Sequence, residues 1–210
     1  MPTPYSTIAG QSVERLAALS DGVFAIAMTL LVLDLRVPAA AAVHGEGDLF
    51  RHVFVVLAPR FVPYLLSFMS LGIYWIAQQT QLNHFARSDR TLTWIQLGFL
   101  LAVTLIPFST ALLAEYIGYR LAVVTYWINL VLLGAGLLAS VRYAGRAGLF
   151  KELVTPELRA THERRIIRYQ IMYAVGAALC VVSSYLSIVF IIVLQLCSVF
   201  DVRVTRKLLG

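Results

Sequence analysis

Charged residues are scarce in this chain. Only 13% of its 210 residues are Asp, Glu, Lys or Arg, whereas 60% are hydrophobic. A soluble domain carries about 25% charged residues, because its surface must be solvated by water. The scarcity of charge therefore excludes an ordinary water-soluble globule and predicts an integral membrane protein.

Cysteine and histidine are scarce as well. Cys180 and Cys197 both lie in apolar stretches, and the four histidines are scattered. These residues have neither the spacing of a disulfide framework nor that of a zinc site. No nucleophile and base, paired carboxylates or phosphate-binding loop occur either. We therefore expect no enzyme activity, cofactor or resident metal. The basic residues are not interleaved with exposed aromatics, so nucleic acid is not an expected partner.

Long apolar stretches dominate the rest of the sequence. About 20 such residues are enough to cross a bilayer as a helix. The stretches predict helices at about 15–37, 53–81, 91–114 and 119–141, and an uncharged run follows over 169–200. This run fits either one tilted span or a helical hairpin. A hairpin with a turn near Ser183, Ser184 and Ser187 gives helices at about 166–184 and 186–207.

The positions of the basic residues decide between these alternatives. Lys and Arg favour the cytoplasmic side of membrane proteins. Six spans with a cytoplasmic N-terminus place all but four of the 17 basic residues inside. Five spans would instead export Arg203, Arg206 and Lys207. The sequence therefore predicts an all-α integral membrane protein. Residues 1–210 form a single six-span domain in the cell (plasma) membrane, surrounded by lipid, with both termini in the cytoplasm.

The first predicted span combines ionisable residues with an aliphatic stripe. Ionisable groups inside a membrane are costly and normally face the protein interior or an aqueous path. At 100° per residue, Ile26, Leu30 and Leu33 fall within an arc of about 60°. Leu19 and Gly22 continue this stripe toward the cytoplasm. Aliphatic stripes also face lipid or neighbouring helices, so helix geometry alone does not identify a pore.

A motif at the start of this span resembles a known family. Arg15-x-x-x-Leu19-Ser20-Asp21-Gly22 is similar to the R-x-x-x-F-S-D-G motif of the transmembrane protein 175 family of potassium channels. Leu19 stands where that motif has phenylalanine, which keeps an apolar residue but loses the ring. The resemblance is strongest over residues 15–38.

The second predicted span resembles the same family less closely. Its segment Leu71–Trp75 is similar to a Tyr-Trp segment of the family. Gln78 and Gln79 occupy positions where histidine is expected, which puts a histidine role in this helix in doubt. The resemblance is fair over residues 65–85 and otherwise rests on hydropathy.

The resemblance implies a homotetramer in which four copies of the first helix surround a central pore. It places a hydrophobic constriction at Ile26, with Leu30 and Leu33 as further layers toward the outside and Thr29 supplying a hydroxyl nearby. Potassium would be the permeant ion. The carbonyl filter Thr-Val-Gly-Tyr-Gly is missing from the sequence, so a conventional potassium filter is not expected. The alternatives are a secondary transporter and a non-conducting membrane scaffold.

The remaining polar residues of the first span have predicted structural roles. Ser20 and Asp21 point about 120–140° away from Ile26. Together with Arg15, they are expected to form a buried hydrogen-bonded network that holds the helix in place, with Trp75 or Gln79 as candidate partners. Asp34 is either an acid that concentrates cations at the outer mouth or an ordinary acid at a helix end.

Overall fold

The chain folds into a bundle of helices. The computed structural model describes residues 12–37 and 44–208, so the parts of the predicted domain 1–210 at residues 1–11, 38–43 and 209–210 lie outside the described residues. The first helix, α1 (Val13–Leu30), continues as a 3₁₀ turn over Leu31–Asp34. The other helices are α2 (Glu46–Arg51), α3 (Ala58–His84), α4 (Arg90–Thr104), α5 (Ile106–Glu115), α6 (Arg120–Ala147), α7 (Pro156–Ala178) and α8 (Ser184–Leu208). A π-helical turn, His52–Val56, joins α2 to α3.

Within the described residues, four helical segments are long and apolar enough to cross a membrane. They are Val13–Asp34, Pro59–His84, Arg90–Glu115 and Arg120–Ala147. A shorter apolar stretch, Ser184–Ser198, lies in α8. The chain is therefore all-helical, with four membrane-capable helices at the positions of the first four predicted spans.

Several helices extend beyond the apolar stretches. The sixth helix continues to Ala147, whereas its predicted span ends at 141, and α7 begins at Pro156 rather than 166. Hydropathy marks the edge of the membrane, but a helix ends where its backbone groups are capped. Gly148 ends α6 with a left-handed φ of 62°, a conformation that glycine adopts without strain. The Thr155 hydroxyl accepts from the Leu158 N–H and so starts α7.

Two helix breaks have identifiable causes. The break between α4 and α5 falls at Leu105, just before Pro107. Proline lacks an N–H group and its ring clashes with the carbonyl four residues earlier. A 3₁₀ turn over Leu179–Val181 separates α7 from α8. Across this break the Ser187 hydroxyl donates to the Gly176 carbonyl at 2.7 Å, which ties the two helices together where serines cluster in the sequence.

Buried polar side chains also tie α3 to α5, α6 and α8. The Gln195 amide donates to the Ser70 hydroxyl at 2.5 Å, and the Ser70 and Tyr126 hydroxyls lie 2.9 Å apart. The Thr110 hydroxyl donates to that of Ser67 at 2.6 Å. Because lipid supplies no hydrophobic force between helices, such hydrogen bonds and close packing hold a membrane bundle together.

The loops at one end of the bundle are also joined. Two backbone hydrogen bonds join the α3–α4 loop to the α6–α7 loop. The Ala86 N–H donates to the Leu149 carbonyl at 2.8 Å, and the Lys151 N–H donates to the His84 carbonyl at 2.9 Å. The Phe85 ring, which is buried, packs edge-on against the ring of Phe150 at 5.2 Å between centroids. These contacts fix the end of α6 relative to the end of α3.

Helix α4 packs tightly against α6 at Gly136. A Cβ atom there would lie 2.9 Å from the Phe99 Cβ and 3.3 Å from its Cα. We expect Gly136→Ala to destabilise the protein by about 1–3 kcal/mol, because the backbone of α4 would have to move. Thermal unfolding in detergent measures this loss. In Gly98→Ala, the new Cβ meets nothing within 4 Å, so the melting temperature should stay equal or rise. Equal melting temperatures for Gly136→Ala and the unchanged protein would contradict this account.

Candidate functional site

One face of α1 is buried against the rest of the subunit. Leu16, Ser20, Phe24 and Ala27 are buried, and Leu31 continues this face into the 3₁₀ turn. Their spacing of three and four residues is that of one side of a helix. The Phe24 ring packs against a ring of α4, with 6.0 Å between centroids. The rotation of α1 about its own axis is therefore fixed by the core.

The opposite face of α1 carries the aliphatic stripe and points away from the subunit. Ile26 is 61% exposed, Leu33 is 66% exposed, and Leu19 and Leu30 are exposed as well. Gly22 lies on the same face, where an added Cβ would meet nothing within 4 Å. Four large aliphatic side chains on one line are therefore left without a partner inside the subunit.

The 3₁₀ turn changes the geometry of the outer end of the stripe. A continuous α-helix would offset Leu33 from Leu30, whereas side chains three residues apart in a 3₁₀ helix lie directly above one another. The turn begins immediately after Leu30 and includes Leu33. Leu33 therefore lies closer to the direction of Leu30 than a continuous α-helix would place it.

Thr29 lies on the flank of the stripe and is exposed. Its hydroxyl donates to the Ile26 carbonyl at 2.8 Å. The proton is thus committed to the helix backbone, and the lone pairs of the hydroxyl oxygen are left free to face the outside of the subunit. The side chain can act there as an acceptor.

A chain of buried hydrogen bonds begins at Ser20. Its hydroxyl donates to the Gln78 side-chain carbonyl, and the Gln78 amide donates to that of Gln96 at 2.8 Å. The Gln96 amide in turn donates to the Ser140 hydroxyl at 3.1 Å. All four side chains are buried. This chain links α1 through α3 and α4 to α6.

Asp21 makes a separate set of contacts with α3. Its carboxylate accepts from the Trp75 indole N–H at 2.7 Å and from the Gln79 amide at 2.6 Å. Hydrogen bonds to a charged acceptor are about twice as strong as neutral ones. Asp21 therefore contacts both of its predicted candidate partners in α3, Trp75 and Gln79. Asp21 itself is exposed on the subunit surface, which differs from the buried position expected from the sequence.

Arg15 does not join these contacts. Its side chain is exposed and has no hydrogen-bond or ion-pair partner among the described residues, while its backbone N–H donates to the Ser12 hydroxyl at 3.2 Å. At 100° per residue, Arg15 lies about 20° from the direction of Ile26. It therefore belongs to the inner end of the exposed stripe rather than to the network around Ser20 and Asp21.

Gln96 and Ser140 are the members of the Ser20 chain that sequence analysis missed. Both are polar residues within otherwise apolar helices. Buried polar groups in membrane helices usually find partners on a facing helix. Their isolation in apolar sequence could have marked them as members of a network, although it does not say which helix they contact.

Asp34 lines a cavity at the other end of α1. The cavity has a volume of about 710 Å³, and Arg36, Arg60 and Glu115 also line it. Arg60 and Glu115 form an ion pair at 2.6 Å. Two acids and two arginines share this cavity, so the arginines offset the negative charge of Asp34.

Known proteins are similar to this chain over the part that includes α1 and α3. The model of the family described as endosomal/lysosomal potassium channel TMEM175 matches residues 15–107. A Streptomyces collinus protein named as a potassium channel is 37% identical over 156 residues, which cover 71% of this chain and 74% of that protein. A Chamaesiphon minutus protein, also named as a potassium channel, is 40% identical over 103 residues, or 49% of this chain and 50% of that protein.

A solved structure has the same fold. The crystal structure of a lysosomal potassium-selective channel TMEM175 homolog from Chamaesiphon minutus superimposes with a TM-score of 0.76 at 28% identity. The match covers 90% of this chain and 97% of that one. The length of the match, the motif beginning at Arg15 and the identity to the Streptomyces protein lead to one conclusion: the chain belongs to the TMEM175 family of ion channels.

Proposed function

We propose that this chain is the subunit of a potassium-selective channel whose pore is lined by α1. The exposed aliphatic stripe on α1, opposite a face that is fixed in the core, is the observation that carries the proposal. A surface of this kind needs lipid or protein against it. Relatives named as potassium channels, and a structural neighbour described as potassium-selective, support a pore over simple lipid contact.

A homotetramer arranges the stripe as a pore lining. Four copies of α1 around one axis would place Ile26, Leu30 and Leu33 in successive rings. Asp21 would lie outside the rings, next to α3, because its carboxylate accepts from Trp75 and Gln79. Contacts at the edge of α1 and α3 would then fix the distance of each stripe from the axis.

Six spans with both termini in the cytoplasm complete the proposed architecture. The four membrane-capable helices account for four spans, and α7 and α8 form the remaining pair on either side of the break near Ser183. This topology keeps most basic residues on the cytoplasmic side, as the positive-inside rule requires. The proposed location is the cell membrane, with residues 1–210 forming one domain.

The proposed mechanism is a hydrophobic gate. A ring of aliphatic side chains offers no polar replacement for the water around an ion, so a narrow ring dewets and blocks conduction. A wider ring passes ions that retain or release part of their hydration. Potassium holds its water less strongly than sodium, so this barrier favours potassium. Ile26 forms the constriction, Leu30 and Leu33 add outer layers, and the Thr29 oxygen faces the ion beside them.

Asp34 is proposed to influence conduction less than the aliphatic stripe does. Its carboxylate would attract cations to the outer mouth, but Arg36 lines the same cavity and offsets its charge, while Arg60 is paired with Glu115. At physiological ionic strength, charges separated by more than about 8 Å are largely screened. The effect of Asp34 on conduction is therefore expected to be small compared with that of Ile26.

The function itself is tested by recording from the purified protein in a planar bilayer with potassium on one side and sodium on the other. We expect unitary currents whose reversal potential shows that potassium is the more permeant ion. Saturable, coupled flux without unitary currents would instead identify a secondary transporter. Neither current nor flux would identify a non-conducting scaffold.

The gate is tested by Ile26→Ser. The smaller, polar side chain should widen and wet the constriction, so single-channel conductance should rise and the preference for potassium over sodium should weaken. Val32→Ser is a matched control, because Val32 is also exposed on this segment but points away from the stripe. Unchanged conductance and permeability ratios in Ile26→Ser, or equal effects of the two substitutions, would refute the assignment of the gate.

The role of Asp21 is tested by comparing Asp21→Ala with Asp21→Asn. Alanine leaves the Trp75 and Gln79 donors unpaired, which costs about 1–3 kcal/mol. Asparagine keeps one acceptor oxygen and should retain part of the stability. We expect Asp21→Ala to lower the yield of tetramer, measured by mass photometry of the detergent-solubilised protein. A normal tetramer yield and melting temperature for Asp21→Ala would show that these contacts do not hold α1.

A further inference from the structure

A groove lies between the end of α6 and the beginning of α7. It has a volume of about 280 Å³, and Val141, Gly145, Arg159, Arg164 and Ile167 are among the residues that line it. Its apolar lining residues come from both helices, and two guanidinium groups come from α7. The groove is thus amphipathic.

The charge of the groove is positive because its acid is already paired. Glu163 also lines the groove, and its carboxylate accepts from the Arg142 guanidinium at 3.3 Å. Among the described residues, no carboxylate lies within ion-pair distance of Arg159 or Arg164. Arg164 is exposed. Arg159 and Arg164 therefore reach the groove without an ion pair, and the Glu157 carboxylate attracts Arg159 through charge alone.

One of these arginines is held in place before any ligand arrives. The Arg159 guanidinium stacks over the Phe150 ring at 5.4 Å from its centroid and donates to the Gly145 carbonyl at 3.4 Å. The Phe150 ring is fixed in turn by its edge contact with Phe85. A side chain already ordered in this way loses less conformational entropy when it binds an anion.

The beginning of α7 is not the source of the positive charge. The Glu157 carboxylate, in the first turn, accepts a hydrogen bond from its own backbone N–H. This bond, together with a second one from the Thr155 side chain, lowers the pKa of the Glu157 carboxyl below its ordinary value. The positive end of this helix is therefore already occupied by a negative side chain. The attraction for an anion comes from Arg159 and Arg164.

The groove lies where the membrane meets water. Val141 and Gly145 belong to the last two turns of a membrane-capable helix, Arg120–Ala147. On α7, Arg165 and Arg168 stack on the Tyr169 ring at 5.9 and 5.7 Å from its centroid. Tyrosine is enriched at the level of the lipid headgroups. In a membrane that this helix crosses, the groove would therefore lie at the depth of the lipid headgroups.

We propose that this groove binds the phosphate group of an anionic membrane lipid. Arg159 and Arg164 contact the phosphate oxygens, and Ile167 packs against the beginning of an acyl chain. Guanidinium groups suit phosphate oxygens because they donate several hydrogen bonds in a fixed plane. A soluble phosphate ion would use the arginines but not the apolar lining, which is why the lipid is the better fit. This site does not depend on the proposed function, since a transporter or a scaffold with this fold would also bind lipid there.

Native mass spectrometry of the purified full-length protein tests the proposal. The protein is mixed in separate samples with phosphatidylglycerol, phosphatidylcholine and inorganic phosphate. We expect phosphatidylglycerol to be retained more strongly than phosphatidylcholine. Arg164→Gln should weaken its retention about fivefold, since one basic residue near an anionic surface contributes about 1 kcal/mol. Arg164→Lys should restore part of the loss, because it keeps the charge.

The matched control is Arg168→Gln, which removes the same charge one turn further along α7, outside the groove. It should reduce retention much less than Arg164→Gln does. Equal losses from the two substitutions would overturn the site in favour of diffuse surface charge, and so would equal retention by all variants. Retention of inorganic phosphate without phosphatidylglycerol would overturn the lipid as ligand. Because Arg164 is exposed, its variants should keep the melting temperature of the unchanged protein.

Discussion

The hydrogen bonds between α1 and α3 are the constraint on which the rest of the site depends. Two adjacent residues of α1, Ser20 and Asp21, contact two adjacent residues of α3, Gln78 and Gln79. Rotating α1 by one residue, or about 100°, would break both contacts and leave polar groups unpaired inside the membrane. Because this rotation is fixed, Ile26 faces outward, and the outward face is the one available to line a pore.

The features of the fold that follow from local sequence could be predicted. Apolar length gave the first four membrane helices, because crossing lipid requires a minimum helix length. The helix ends could not be predicted from hydropathy, since the caps at Gly148 and Thr155 lie beyond the apolar stretches. The 3₁₀ turn after Leu30 was missed for a similar reason. The periodicity of the side chains does not distinguish a 3₁₀ turn from the α-helix that it continues.

The candidate site was predictable where it depends on one helix and less so where it depends on several. Helical periodicity correctly separated the outward direction of Ile26 from that of Ser20. Trp75 and Gln79 are predictable as partners because they are polar groups on the next predicted helix. The contribution of Gln96 and Ser140 depends on how four helices pack, which periodicity does not encode. The sequence predicts Arg15 in the network with Ser20 and Asp21, whereas its direction around the helix places it on the exposed stripe.

The tightened end of α1 changes the spacing of the outer aliphatic rings in the proposed pore. A 3₁₀ turn rises about 2.0 Å per residue, compared with 1.5 Å in an α-helix. Leu30 and Leu33 therefore lie about 6 Å apart along the axis instead of about 4.5 Å. In the proposed tetramer, an ion moving along the axis would therefore pass two distinct aliphatic rings, whose separation is about 1.5 Å greater than on a continuous α-helix.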